Sequence, residues 1–152
     1  MRLLFIFCLF ISLNGLSQTK SDMFTYVKNR IETITYEKRV SLSLSGCQMK
    51  YNYLRTLQGN APWTQERSFS LANVSDVLVM NDNGGRLIIL KFKSSEDVII
   101  TDIEQDGTRN FVNYSDKVMF LFNSGADLSE VNKIASLFKK LSKQCGAKII
   151  EL

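Results

Sequence analysis

The chain has 152 residues, 45% of them hydrophobic and 22% charged, with a single Pro and eight Gly. That is the composition of one folded domain, and it excludes a disordered or linker-rich segment. A formal net charge of +4 is too mild for a dedicated nucleic-acid binder. There is no His, which excludes Ser–His and Cys–His acyl transfer and every metal cluster that needs an imidazole.

The first 17 residues read as a removable signal. Arg2 is a short basic start, Leu3 to Leu13 (LLFIFCLFISL) is an apolar run, and Gly15 and Ser17 are small residues placed for cleavage before Gln18. The run is shorter than the ~20 residues that a spanning helix needs, so no stable membrane insertion is expected after cleavage. Removing 17 of the 152 residues leaves 135, enough to bury one real core over residues 18–152. The expected location is periplasmic or secreted. Cys47 and Cys145 are the two cysteines left in that oxidising compartment, and an even number there favours a disulfide.

After the signal, Ser21 and Asp22 offer a helix cap, and Phe24, Val27, Ile31 and Ile34 recur at helical spacing, so residues 22–33 read as a short amphipathic helix. From Ile34 the period becomes two. Ile34, Tyr36, Val40, Leu42 and Leu44 alternate with polar residues, which gives a half-buried strand with an interruption near Arg39. Gly46 permits a bend, and Cys47 to Leu57 follows as a second strand with Met49, Tyr51 and Tyr53 on one face.

Gln58 to Glu66 (QGNAPWTQE) reads as a loop holding the only Pro and the only Trp, and Trp63 is the candidate partner contact. Further strands are expected over residues 68–72, 75–80, 86–92, 98–103, 109–114 and 117–122. The turns between them include Asn81 to Gly85 and Glu104 to Thr108. These acidic turns lack the alternating oxygen ligands and distal Glu of a calcium loop. Asn73-Val74-Ser75 and Asn113-Tyr114-Ser115 match the N-glycosylation pattern, which matters only in a eukaryotic source.

The chain closes on its clearest periodic stretch. Asp127 with Glu130 three residues on resembles a capping box. Leu128, Val131, Ile134, Ala135, Phe138 and Leu141 form an apolar stripe, Lys133, Lys139, Lys140 and Lys143 lie off it, and Gly146 is a left-handed stop.

The expected fold class is α+β: about seven strands in a curled antiparallel meander, with a short N-terminal helix and a C-terminal capping helix. The strand run from Val40 to Phe122, the phrase from Phe69 to Val77 and the helix from Asp127 to Cys145 resemble the pleckstrin-homology-like (PH-like) half-open barrel, in particular small exported bacterial domains of that fold with no assigned role. The resemblance implies that the helix lies against the barrel and leaves one mouth of loops for ligands. Phosphoinositide-binding members carry clustered Lys and Arg around the first hairpin. Here only Lys50 and Arg55 stand there, which departs from that pattern.

The functional expectation is a non-enzymatic exported binding or scaffold module. It has a protein partner, no nucleic acid, no catalytic residue, no metal site and no cofactor, and neither the partner nor the oligomeric state can be read from these residues. Ten Phe, five Tyr and one Trp raise the alternative of a small hydrophobic-ligand carrier with a lipocalin-like pocket. A remote alternative is a hydrolase that uses Asp102 and Glu104, which share one side of a strand end.

Overall fold

The computed structural model describes residues 19–58, 61–82 and 85–149. The expected signal over residues 1–17 and the middle of the expected turn from Asn81 to Gly85 therefore lie outside the described residues. Helix α1 (Lys20–Ile34) leads into β1 (Lys38–Ser45), β2 (Gln48–Arg55) and β3 (Trp63–Ser70). A single 3-10 turn (Leu71–Asn73) precedes β4 (Val74–Asp82), β5 (Gly85–Phe92), β6 (Val98–Ile103), β7 (Arg109–Ser115) and β8 (Lys117–Phe122), and α2 (Leu128–Gln144) follows.

Every strand pair is antiparallel, but the strands form two sheets that do not close. One has the order β1-β2-β3-β6-β7 and the other β4-β5-β8. The continuous meander expected from sequence is thus broken in three places. At the first, the Ser70 side chain accepts from the Ala72 N–H and opens the 3-10 turn, which lifts the chain from β3 into the second sheet. The partner of β3 is β6, with Gln65 opposite Asp102 and Phe69 opposite Val98.

Helix α1 starts two residues before the expected boundary, because Thr19 and not the Ser21-Asp22 pair is the N-cap. Thr19 and Asp22 exchange hydrogen bonds in a capping box. Its buried residues are Met23, Val27 and Ile31. Ile34 belongs to the helix, and the strand begins only at Lys38. The interruption near Arg39 is present: its φ is +51°, and the β1–β2 register shifts between Lys38 and Ser41. Gly46, at φ +62°, makes the tight turn into β2.

The core fills the space between the sheets and under the helices. Tyr51 and Phe120 face each other across the sheets at 4.7 Å, as do Phe69 and Phe92 at 5.3 Å, and Phe120 stacks on Phe138 of α2 at 5.2 Å. Most of the expected stripe on α2 is buried, with Leu137 and Ser142 added, but Leu128 is 40% exposed. The reason is its place in the first turn, ahead of the point where the helix meets the sheets.

Asp127 caps α2 by accepting from the Ser129 N–H, but the expected capping box is not formed. Glu130 pairs instead with Arg30 and accepts from Tyr26 Oη, and this joins the two helices. Arg30 holds the Glu130 carboxyl below its ordinary range. Lys133, off the apolar stripe, holds its ammonium 4.1 Å from the centre of the Tyr26 ring. Gly146 stops the helix at φ +89°.

Cys47 and Cys145 are bonded, with their Cα atoms 5.7 Å apart. The bridge ties the β1–β2 turn to the end of α2. Among the described residues no helix is long and apolar enough to cross a membrane.

Candidate functional site

The inner face of the five-stranded sheet changes character along its length. At one end it is apolar, with Met49, Phe69 and Val98 in register across β2, β3 and β6. Two pleats further, the same rows place Tyr53, Gln65 and Asp102 side by side. Inward polar side chains persist here because they bond to one another. Tyr53 Oη donates to Gln65 Oε1 at 2.6 Å, and Gln65 Nε2 donates to Asp102 Oδ1 at 2.9 Å. Arg67 Nη2 donates to Tyr53 Oη at 3.0 Å, and its guanidinium lies 5.6 Å from the centre of that ring.

Behind this chain stand Tyr51 and Glu37. Burial pushes the Glu37 carboxyl above its ordinary range, and burial pushes the Tyr51 phenol up as well. Glu37 Oε2, Tyr51 Oη and Arg67 Nε are buried without a hydrogen-bond partner among the described residues. Tyr51 and Glu37 are electrostatic neighbours, but their oxygens fall outside hydrogen-bonding geometry.

Asp102 links this interior network to an open groove of about 500 Å³. Trp63 and Pro62 form one wall, and Asp102, Glu104, Asp106 and Asn110 lie around it. A second recess of about 300 Å³ continues past Trp63 towards Arg39.

Three segments assemble the groove. Trp63 opens β3 opposite Arg55, whose guanidinium sits 5.9 Å from the indole centre. Asp102 ends β6. The β6–β7 turn then fixes the remaining acids: Asn110 Nδ2 donates to Glu104 Oε1 at 2.9 Å, and the Thr108 N–H donates to Asp106 Oδ1 at 2.8 Å. That last bond holds the Asp106 carboxyl below its ordinary range, so it is charged at neutral pH. The result is a negative groove with one large aromatic wall.

The loop expected over Gln58 to Glu66 is corrected by this arrangement. Trp63 is the first residue of a strand, and Gln65 and Glu66 are buried within it. Glu66 points to the opposite face, where Lys50 and Arg109 bracket its carboxylate. Trp63 and the pair Asp102 and Glu104, singled out for separate reasons, are brought together in one groove. Cys47 and Cys145 lie elsewhere, at the bridge. Glu37, Tyr53, Gln65 and Arg67 were missed by sequence reasoning. The available signal was the row of long polar residues at alternate positions in a strand next to a Trp. Among the described residues no group of three or more His, Cys, Asp or Glu is placed to hold a metal ion. Comparison with protein-family models, curated proteins and solved structures gave no match.

Proposed function

We propose that the protein is a non-enzymatic exported binding or scaffold module, and that the groove at Trp63 is where a protein partner docks. The groove itself carries the reading: open space of about 500 Å³ joins the only Trp of the chain to three carboxylates. An indole supplies a large, rigid contact of the kind that anchors interfaces. Asp102, Glu104 and Asp106 suit a partner that presents Lys or Arg beside an apolar side chain.

The large aromatic residues Tyr51, Phe120, Phe122 and Phe138 are fully buried as core, which favours a surface site over carriage of a hydrophobic ligand inside. The PH-like resemblance belongs to the same proposal. Two antiparallel sheets that do not close and a C-terminal helix packed on them support it, while the β3–β6 pairing departs from a consecutive meander. The bridged cysteines support the exported location.

The test uses residues 18–152 as bait on envelope extracts. A partner captured by the wild type should be lost with Trp63→Ala and should weaken as salt rises. Capture indifferent to Trp63→Ala, or turnover of a substrate by the pure protein, would overturn the proposal.

A further inference from the structure

The two sulfurs of the Cys47–Cys145 bridge stand in opposite electrostatic settings. Lys20 Nζ lies 3.2 Å from Cys47 Sγ and is held there by the Gly46 carbonyl at 2.6 Å. Cys145 sits at the C-terminal end of α2, its N–H bonded back to the Leu141 carbonyl at 3.1 Å. A neighbouring ammonium stabilises a thiolate, whereas the carbonyl end of a helix disfavours one. Cys47 is therefore the better leaving group and Cys145 the worse. Both cysteines are only half-buried, so a small thiol can reach the bond.

We propose that this bridge is a thiol–disulfide exchange site of fixed polarity that takes an external dithiol as its reductant. The attacking thiolate forms a bond to Cys145 Sγ. The Cys47–Cys145 bond breaks, and its electron pair leaves on Cys47 as a thiolate held by Lys20. The second thiol of the reductant, once deprotonated, attacks its own sulfur in the mixed disulfide. Cys145 departs as a thiolate and takes up a proton, and the dithiol leaves as a disulfide. The protein gains two electrons and the dithiol loses two. Leu141 and Ala147 on either side of Cys145 are buried, and the Cys47 carbonyl accepts from the Leu71 N–H at 2.9 Å, so both ends stay docked when the bond opens.

The polarity can be read with a monothiol probe, whose mixed disulfide has no second thiol of its own to resolve it and is trapped by quenching early, before a second glutathione attacks. The folded, bridged protein is treated with excess glutathione, quenched with N-ethylmaleimide and mapped by mass spectrometry. The expected product carries glutathione on Cys145 and maleimide on Cys47. Glutathione on Cys47, an even split, or a bridge that opens only in urea would each overturn the proposal. Lowering a thiol pKa by about one to two units at a Brønsted coefficient of about 0.5 speeds departure roughly three- to tenfold. Lys20→Met, with an unaltered melt in the bridged form, should therefore slow exchange by that factor and reduce the bias, and Lys20→Arg should restore both. Exchange that keeps its rate and bias in Lys20→Met would remove the ammonium from the chemistry and refute the assignment.

Discussion

Truncating Phe138 to Ala tests whether α2 closes the fold. Its side chain is fully buried and stacks on Phe120, which in turn touches Tyr51 across the sheets. Removing a ring from such a site costs about 3–5 kcal/mol in lost transfer energy and residual cavity. About 0.5–1.5 kcal/mol of that belongs to the ring–ring geometry. Leu128 is the internal control: it lies on the same apolar stripe but is 40% exposed, so Leu128→Ala should cost less than about 1 kcal/mol. The assay is equilibrium urea unfolding with the bridge intact. For a slope of about 2 kcal/mol per molar, the Phe138→Ala midpoint should fall by about 2 M with the slope unchanged. A loss under about 1 kcal/mol, or equal losses for the two variants, would refute the packing argument.

The bridge and the half-buried Glu37 carboxyl give two further predictions. Replacing both Cys47 and Cys145 by Ser reopens a 98-residue separation and should cost up to about 4–5 kcal/mol in the same urea assay. A cost under about 1 kcal/mol would show that the constraint contributes little. Glu37 has a folded-state pKa above its unfolded value, so its contribution is fully present below the unfolded value and is lost as pH rises through the folded one. Glu37→Gln removes that loss, and its stability relative to wild type should climb as pH rises above 4.5. A stability difference that stays flat between about pH 4 and about pH 8 would contradict the assignment.

The local elements were legible because their signals are local. The period-two run before Gly46, the Met49–Tyr51–Tyr53 face and the α2 stripe each follow from burying one side of an element. The start of β3 was not legible, because Thr64, Gln65 and Glu66 carry no apolar alternation. Gln65 faces inward only because Tyr53 and Asp102 satisfy it, and those partners come from two other strands. The β3–β6 pairing leaves no trace in a single chain, since the residues joined are 29 to 39 apart and no turn signal links them. The expected capping box on α2 failed for a similar reason: Arg30 on the other helix outcompetes the Asp127 N–H for Glu130. For the groove, sequence supplied Trp63 on one hand and the pair Asp102 and Glu104 on the other, and only the β2–β3–β6 register places them around one space.

The most direct test of the groove as a docking site is the emission of Trp63, the only Trp in the chain. A Trp-free peptide or protein version of the captured partner is titrated into residues 18–152 while binding is followed in parallel by calorimetry. The account predicts a saturable change in Trp63 emission with the calorimetric midpoint, and weaker binding in Asp102→Asn and Asp106→Asn. Tight calorimetric binding that leaves Trp63 emission and both variants unaffected would place the partner elsewhere on the molecule and contradict the account.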